Sequence, residues 1–532
     1  MGNQPVSVLA SPDEAVTTSP AFTPEQIAAC VRQVRHHAHI VTDPTGRELG
    51  LVMGPRPTGG IVGTLPPLYP EWLGGRTFCE AHGVRFPYVA GEMANGIATT
   101  RMVVAMARAE MLGFFGAGGL GLPEVERAVH ELAAELAGRP NWGVNLIHSP
   151  GEPGLEYRVA KLLLRHAVPC ISVSAFMELT PAVVLCSAAG LHRGPDGQIL
   201  RRTRVFAKVS RPEVAARFLS PAPPELLRPL VESGELSAEE AALAALVPVA
   251  EDLTVESDSG GHTDNRPLGV LVPRILLLRE ELTRRHGYTR AVRIGAAGGL
   301  GTPDAVAAAF ALGVAYVVTG SVNQVAVEAG ISDEAKAMLA DADIADVIMA
   351  PAADMFELGV KLQVLRRGSL FAQRAGHLHA AYQAHSSLEE LPPQLRAKLE
   401  REVFGAPIDD VWARTRHFWQ QRDPAEADRA EQDPKHRMAL VFRWYLGNSS
   451  RWAITGDTTR RSDFQIWCGP AMGAFNRWAA GSCLAERADR SVVQIALNLL
   501  EGAAVVTRAH QLRTYGVPVP SSAFAFTPCP LA

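Results

Sequence analysis

Three segments of the sequence carry residue types that could do chemistry. Lys208 lies within the apolar run RVFAKVS, and His262 follows two glycines in ESDSGGHTDNRP. Two glycine-containing loops, GAAGGLGTPD at 295–304 and TGSVNQ at 319–324, each follow an apolar run. A lysine can balance a negative charge, and a histidine can supply a proton near neutral pH. Because glycines let a backbone approach an anion closely, the segments together indicate an anionic ligand and acid–base chemistry.

A further segment, FFGAGGLGLPE at 114–124, contains the dinucleotide-binding spacing G-x-G-x-x-G at Gly116, Gly118 and Gly121. That fingerprint also requires an acidic residue about 20 positions on, at the end of the next strand. The next predicted strand, WGVNLIH, offers Asn145 and no carboxylate. The spacing alone is therefore weak evidence for a nucleotide site.

The elements that must position these residues alternate between short apolar strands and helical patterns. The eight predicted strands lie in FPYVAGEM, GFFGAG, WGVNLIH, CISVSA, RVFAKVS, DLTVESDSGG, AVRIGAAGG and AYVVTGS. A helical pattern follows each of them, and the last helix begins at Ser332. Such alternation predicts a parallel sheet, and eight units between Phe86 and about Arg374 predict an α/β fold, a (β/α)8 TIM barrel. An open doubly wound sheet is the alternative.

Three regions follow from this prediction. Residues 1–83 form an irregular N-terminal region, residues 84–375 the barrel, and residues 376–532 an added, mainly helical C-terminal domain. A helical insertion at 211–251 follows strand five. Extra chain after a barrel strand is expected over the carboxyl face, so we predict that the insertion forms a lid or contributes to substrate binding.

Composition excludes several classes of partner. A net charge of −4 without long basic runs argues against nucleic acid, and the longest apolar run, 305–318, is too short for a membrane span. Seven cysteines without a C-x-x-C spacing indicate a reducing compartment and no metal site. The N-terminal stretch lacks the basic flank and apolar segment of a signal peptide, and we expect a cytoplasmic protein.

The two glycine loops follow the predicted strands seven and eight, where barrels often bind phosphate. Gly298 and Gly299 in the first loop, and Thr319, Gly320 and Ser321 in the second, are the predicted contacts. Strand–helix turns need glycine in any case, so each loop alone would mean little. A phosphate-bearing cofactor on a barrel suggests FMN.

Three further residues fit such a cofactor. Lys208 is costly to bury without negative charge, which reduced flavin carries around N1 and O2; a lysine at the strand rim that reaches water is the alternative. Asn145 lies between apolar neighbours on its strand, where its amide needs polar partners that a flavin edge could supply. His262 ends the sixth strand and is the predicted catalytic residue, as an acid or a hydrogen-bond donor.

A set of motifs carries a family resemblance. The motifs are GEMANG, GVNL, AKVSRPE, ESDSGGHTDNRP, GAAGGLGTPD, TGSVNQ, APAADMFELGVKLQVLRRG, RWYLGNSSRWA and DFQIWCGPAMGAFNRW. They resemble the PfaD-type trans-acting enoyl reductases of polyketide and polyunsaturated fatty acid synthases, within the nitronate monooxygenase superfamily. The match runs from about Val84 to Pro520 and includes the C-terminal region.

The resemblance implies a cofactor, a reductant and a substrate. These are FMN, NADPH and an α,β-unsaturated thioester on an acyl carrier protein, and the insertion and C-terminal region would form the carrier protein's approach. It also implies that Met93, Ala94 and Asn95 in GEMANG contact the cofactor, while His262 acts on the thioester. Asp264 and Tyr288 are less favoured proton sources. A nitronate monooxygenase and a docking protein without chemistry are the alternative functions.

Overall fold

A computed structural model describes residues 19–149 and 152–532. The first 18 residues, including most of the stretch that we predict is not a signal peptide, and residues 150–151 lie outside the described part of the chain.

The strands fall into four sheets. They are β1 (Ala38–Thr42), β2 (Leu49–Met53), β3 (Ile61–Leu65), β4 (Tyr88–Ala90), β5 (Leu112–Phe115), β6 (Trp142–Ile147), β7 (Cys170–Ser174), β8 (His192–Arg193), β9 (Ile199–Leu200), β10 (Arg204–Val209), β11 (Asp252–Glu256), β12 (Gly261–His262), β13 (Arg293–Ala297), β14 (Tyr316–Thr319), β15 (Val347–Pro351) and β16 (Lys361–Leu365).

Helices occur between and after these strands. They are α1 (Pro24–Arg32), α2 (Arg76–His82), α3 (Thr100–Arg108), α4 (Leu122–Glu135), α5 (Pro153–Arg165), α6 (Pro181–Ala188), α7 (Pro212–Phe218), α8 (Pro224–Glu232), α9 (Ala238–Ala244), α10 (Leu268–His286), α11 (Pro303–Ala311), α12 (Asp333–Ala340), α13 (Phe371–Ala384), α14 (Pro393–Leu399), α15 (Ile408–Arg422), α16 (Pro424–Gln432), α17 (Pro434–Thr455), α18 (Ala471–Ala479) and α19 (Val492–Thr514).

Eight strands close a parallel barrel in the order β4, β5, β6, β7, β10, β11, β13 and β14, with β14 pairing back to β4. These are the eight predicted strands, so the TIM barrel is confirmed and the open sheet is excluded. The strands are almost entirely buried because helices cover the outside and side chains fill the inside.

The eighth barrel helix comes from the far end of the chain. The helix predicted at Ser332 exists as α12, and Ser332 caps its first turn. However, α12 packs against α17, α18 and the 3₁₀ turn after β14, whereas α19 packs along α11 and touches α3. Because β14 lies between β13 and β4, the helix that covers it must lie between α11 and α3. The prediction that α12 completes the eighth unit was therefore wrong.

The surroundings of α19 explain its composition. One side of the helix packs on the barrel core, while Ala504, Val505, Ala509 and Leu512 pack into a cluster with α1, β1 and β2. Within the described residues, α19 is the one helix long and apolar enough to cross a membrane, and 83% of its most apolar window is buried in the protein. A helix that is apolar all round is expected where protein packs on both of its sides.

The N-terminal region is more ordered than its irregular sequence predicts. Strands β2, β1 and β3 form an antiparallel sheet, and α1 packs on β2 and α19. The Arg35 guanidinium binds the Glu501 carboxylate on α19 with both of its terminal nitrogens. The sequence pattern is weak because these short strands depend on α19, which lies more than 400 residues away, for the other half of their core.

The insertion does not lie where we predicted. Helices α8 and α9 pack against α6, and the Gly190 N–H, just beyond the end of α6, donates to Glu240 Oε1 at 2.6 Å. A barrel helix runs from the carboxyl end of its strand back toward the amino end, so this contact lies on the amino side. The insertion therefore covers the barrel wall and not the carboxyl face. Helix α6 is buried on all sides and needs this cover.

The C-terminal helical region divides between two cores. Helices α13, α14, α15 and α17 pack with β15 and β16 around their own cluster, which includes Phe356, Phe371 and Phe442, and α16 packs on α15 and α17. Helices α18 and α19 join the barrel core instead. Strand β16 also pairs with β12 and β15 in a small antiparallel sheet, so the predicted C-terminal domain is continuous with the barrel.

A buried charged cluster closes the amino end of the barrel. His82 Nε2 on α2 lies 2.9 Å from Asp252 Oδ2, and Arg293 binds both Asp252 oxygens at 2.6 and 2.7 Å. Burial alone would raise the pKa of Asp252, but His82 and Arg293 outweigh it and lower that pKa. All three side chains lie at the end of the barrel where residues serve stability.

Gly502 tests the role of α19. A Cβ atom at Gly502 would lie 2.5 Å from Pro303 Cγ on α11, so we expect Gly502→Leu to lower the free energy of unfolding by about 1–3 kcal/mol through overpacking. Gly447 is an exposed helical glycine with no atom within 4 Å of such a Cβ. Gly447→Leu should leave stability unchanged or raise it by up to about 1 kcal/mol. Urea unfolding of both variants measures this, and equal effects would contradict the placement of α19.

Candidate functional site

The predicted site residues gather at the carboxyl ends of the barrel strands. Met93, Ala94 and Asn95 follow β4, Asn145 lies on β6, and Lys208 lies near the end of β10. The two glycine loops follow β13 and β14, and His262 follows β11 by a short loop. Carboxyl ends of parallel barrel strands form one face, which is where barrel enzymes build their sites.

Lys208 is paired inside the protein. Its Nζ lies 3.1 Å from Glu92 Oε1, after β4, and 3.4 Å from Glu256 Oε1, at the end of β11. Burial alone would lower the pKa of Lys208, but the two carboxylates outweigh it and raise that pKa. The lysine is therefore charged, and the prediction that negative charge must accompany it is met by the protein's own carboxylates.

The cluster of Glu92, Lys208 and Glu256 has more negative than positive groups. Ser172 Oγ donates to Glu92 and Ser259 Oγ donates to Glu256, both at 3.1 Å. Burial raises the pKa of Glu256, and Lys208 lowers it only in part, so the net shift is upward. Glu256 is thus a carboxyl group that takes up a proton more readily than an exposed glutamate.

His262 lies on a small antiparallel sheet beside the carboxyl ends of the barrel strands. It belongs to β12, which pairs with β16, and its Nε2 lies 3.2 Å from Asp354 Oδ1. Burial lowers the pKa of His262, but Asp354 outweighs it, and the net shift is upward. The imidazole remains part exposed, so a ligand at the barrel mouth could reach it.

Gln363 on β16 fixes the loop that carries His262. Its amide nitrogen donates to Asp258 Oδ1 at 2.7 Å and to the Ser259 carbonyl at 2.8 Å. Its amide oxygen accepts a bond of 2.9 Å from Asn265. The turn is thereby tied to β16 on both sides of His262.

The two less favoured proton sources are unsuited to that role. Asp264 is bound by Arg211 through both oxygens, and this pairing lowers the pKa of Asp264. The Tyr288 hydroxyl donates to the Leu219 carbonyl at 3.2 Å, beyond the end of α7. Tyr288 follows α10 and so lies toward the amino end of the barrel, away from His262.

The G-x-G-x-x-G stretch has a packing role. A Cβ atom at Gly116 would lie 1.7 Å from the Met93 carbonyl oxygen, and one at Gly119 would lie 2.0 Å from Asn95 Oδ1. The Gly121 N–H donates to Glu124 Oε2 at 2.7 Å, so the start of α4 is capped by its own carboxylate. These glycines let the loop after β5 fit against the loop after β4, and a nucleotide site in this stretch is not supported.

The loops after β13 and β14 differ from that stretch. A Cβ atom at Gly299 or Gly320 would meet no atom within 4 Å, so both residues border open space. Gly298 instead fits closely against Ser257. Because β13 and β14 are neighbours, the two open positions belong to adjacent loops. Space beside glycine backbone at the carboxyl face is what an anion needs there.

The segment before α18 forms one wall of the site. Gly260 packs against the backbone of Cys468, Gly301 fits against the carbonyl of Ala471, and the Gly469 N–H donates to Ser321 Oγ at 3.1 Å. The loops after the sixth, seventh and eighth barrel strands are therefore all in contact with residues 468–471.

Three predicted ligand contacts, Asn145, Thr319 and Ser321, form hydrogen bonds within the protein. The Asn145 amide nitrogen donates to the Ser172 carbonyl and Ser174 Oγ, both at 3.0 Å, so its hydrogens do not need a flavin. The Thr319 hydroxyl is buried and bonds to the Tyr88 hydroxyl at 2.5 Å. The Ser321 hydroxyl accepts from Gly469. The Thr319 carbonyl also accepts from the Gly91 N–H at 2.9 Å and from the Asn323 amide at 3.0 Å, so Thr319 is held by bonds within the protein.

Sequence reasoning missed several residues of the site. Glu92, Asp354, Gln363 and Gly469 all lie within the family motifs, but the sequence alone assigned none of them a role. A carboxylate directly after a barrel strand is a signal that could have found Glu92. No local signal identifies the others, because their contacts form between distant parts of the chain.

Comparison with known proteins supplies the family. Residues 385–464 match the model of the inserted helical domain of [acyl-carrier-protein] S-malonyltransferase. The chain is 46% identical over 448 residues to one of the polyunsaturated fatty acid synthase subunits of Thraustochytrium sp. (strain ATCC 26185 / S-3), covering 83% of this chain and 30% of that protein. It is 42% identical over 445 residues to polyketide biosynthesis protein PksE of Bacillus subtilis (strain 168), covering 84% and 58%.

A solved structure matches over nearly its whole length. The crystal structure of the enoyl reductase domain of MlnA, from the macrolactin biosynthesis cluster of Bacillus amyloliquefaciens, has 35% sequence identity and a TM-score of 0.79. The match covers 84% of this chain and 99% of that domain. By contrast, the chain spans between 23% and 58% of the length of the curated relatives.

The fold and the similarity to a solved enoyl reductase domain together define a (β/α)8-barrel oxidoreductase. The chain belongs to the PfaD-type enoyl reductase family of polyketide and polyunsaturated fatty acid synthases, as its motifs predicted.

The Lys208 cluster can be tested through stability. Lys208→Met leaves Glu92 and Glu256 without a cation, and we expect the free energy of unfolding to fall by about 3–5 kcal/mol at pH 8. The loss should shrink toward pH 5, because the unpaired carboxylates then have raised folded-state pKa values and gain protons on folding.

Lys161→Met is the matched control, since Lys161 pairs with Glu235 at the surface. Its cost should be at most about 1 kcal/mol. Urea unfolding at both pH values measures each difference, and a loss for Lys208→Met that does not change with pH would count against the cluster.

Proposed function

We propose that the chain is an FMN-dependent enoyl reductase. Its substrates would be α,β-unsaturated thioesters carried by acyl carrier protein domains, and its reductant would be NADPH. The observation that carries the proposal is the similarity to the MlnA enoyl reductase domain, which extends over 99% of that domain. The match of residues 385–464 to a helical domain of an acyl-carrier-protein malonyltransferase supports a carrier-protein partner.

The residues at the carboxyl face fit FMN. The open positions at Gly299 and Gly320 would hold the phosphate against backbone of adjacent loops. The loop of Met93, Ala94 and Asn95 follows β4, the neighbour of β14, and would border the ring system. When bound, FMN supplies hydride transfer between NADPH and the β-carbon of the enoyl thioester.

His262 provides the proton chemistry in this proposal. Burial lowers the pKa of His262, but Asp354 outweighs it and raises that pKa, which favours the imidazolium, the form that can donate to the thioester oxygen or the α-carbon. Asp354 accepts from Nε2, which leaves the opposite ring nitrogen, Nδ1, as the donor that can turn toward a ligand. Asp354 is thus a positioning residue.

Lys208, together with Glu92 and Glu256, determines the charge next to the proposed ligand. With Glu92 and Glu256 both ionised, the cluster carries one net negative charge, which would oppose an anion above it. Protonation of Glu256, whose pKa is already raised, makes the cluster neutral. In this proposal Lys208 would offset ligand charge together with a proton on Glu256.

Gly320 tests the cofactor site. A Cβ at Gly320 would meet no atom within 4 Å, but its φ of −128° and ψ of −68° lie outside the main regions for residues with a side chain, so circular dichroism should verify that Gly320→Val folds. Its side chain would occupy the space assigned to the phosphate, and we expect the purified variant to lack the flavin absorbance of the parent. Gly269→Val, at another open position, is the control and should keep it. Full flavin content in Gly320→Val would disprove this phosphate site.

His262 tests the reaction. In His262→Ala, flavin reduction by NADPH should be unchanged, while reoxidation by an enoyl carrier-protein thioester should slow by about 10²–10⁴-fold. In the parent, reoxidation should fall as pH rises through the raised pKa of His262, and Asp354→Asn should move that fall to lower pH.

Stopped-flow absorbance follows each half-reaction separately. The competing reaction supplies a nitronate and oxygen to the oxidised enzyme, because oxidation of the nitronate with consumption of oxygen, without flavin reoxidation by the thioester, would indicate a nitronate monooxygenase. Reoxidation by the thioester at the parent rate in His262→Ala would remove His262 from the chemistry.

A further inference from the structure

Two outer barrel helices bring together three potential metal ligands far from the carboxyl face. Glu126 and His130 lie four residues apart on α4, and His166 follows the last residue of α5. One ligand atom from each of the three lies within 4.8 Å of the other two. The spacing of four places Glu126 and His130 on the same face of α4, toward α5.

The geometry is close to what a tetrahedral ion needs. His166 Nε2 lies 3.7 Å from Glu126 Oε1, and the His130 and His166 ring centroids are 4.5 Å apart with the rings nearly perpendicular. Zinc binds imidazole nitrogen and carboxylate oxygen at about 2.0–2.2 Å, which holds ligand atoms about 3.3 Å apart. A small rotation of the Glu126 side chain, which is 41% exposed, would close this remaining difference.

An unsatisfied nitrogen is the second, independent observation. His166 Nε2 is shielded from solvent, yet no partner lies within hydrogen-bond distance among the described residues. The Glu126 oxygen at 3.7 Å is too distant for a hydrogen bond. Buried polar atoms normally have a partner, so this nitrogen indicates a ligand between the three side chains.

We propose that Glu126, His130 and His166 bind one zinc ion that ties α4 to α5. Two imidazoles and a carboxylate are a ligand set that zinc uses, with water in the fourth position. The site contains no cysteine and so differs from the thiolate sites that the cysteine spacing excluded; it departs from our prediction of no metal site. It lies on the barrel wall and does not depend on the proposed reaction.

The experiment uses the full chain without an affinity tag, freed of metal by a chelator. Calorimetric titration with Zn²⁺ should give one equivalent, and Co²⁺ should give the visible absorption of a tetrahedral ion. Zn²⁺ should also raise the thermal unfolding midpoint, because it binds the folded state alone. His130→Ala and Glu126→Gln should weaken Zn²⁺ binding by at least about 10-fold. Removing a residue that only hydrogen-bonds to a metal ligand already costs about that much.

His286→Ala is the control, since His286 is an exposed histidine on α10 outside the cluster. It should bind Zn²⁺ like the parent. His130 is exposed, so its variant should fold, which circular dichroism verifies. The proposal is overturned if one-to-one binding is not seen, or if His130→Ala and Glu126→Gln bind as tightly as His286→Ala.

Discussion

A closed barrel must cover each strand from outside, and this chain meets the requirement for its eighth strand with α19. The chain leaves the barrel after β14, builds the helical region around α13 to α17, and returns only at the end. The return has two consequences. It gives the N-terminal sheet an apolar partner, and it brings residues 468–471 against the loops after strands six, seven and eight. The same returning segment thus covers the eighth strand and contributes a wall of the candidate site.

The two ends of the barrel handle buried charge differently. At the amino end, the charge of Asp252 is neutralised by Arg293, and His82 forms a further hydrogen bond to the same carboxylate. At the carboxyl end, Glu92 and Glu256 share the cation Lys208, and burial raises the pKa of Glu256 more than Lys208 lowers it. Strand β11 carries both Asp252 and Glu256, so one strand joins the charged cluster at the amino end to the Lys208 cluster at the carboxyl face.

The sequence allowed the barrel to be predicted because each strand is a buried apolar run with a helix after it, which are local properties. Lys208 and His262 could also be predicted from local sequence, because a lysine within an apolar run and a histidine after two glycines are both unusual. The N-terminal sheet, the position of α8 and α9, and the role of α19 depend on distant packing partners, which no local pattern reveals. Asp354 and Gln363 reach the site only because β16 pairs with β12, a contact across about 100 residues.

Glycine content by itself does not define a phosphate site, as the three glycine loops of this barrel make clear. In the loop after β5, neighbouring atoms occupy the space beside Gly116 and Gly119, and Glu124 caps the start of α4 at Gly121. In the loops after β13 and β14, Gly299 and Gly320 leave space beside the backbone. The absence of a side chain serves close packing in the first case and access in the second. What separates the two uses is whether another part of the protein already fills the space, and that depends on the strand order around the barrel.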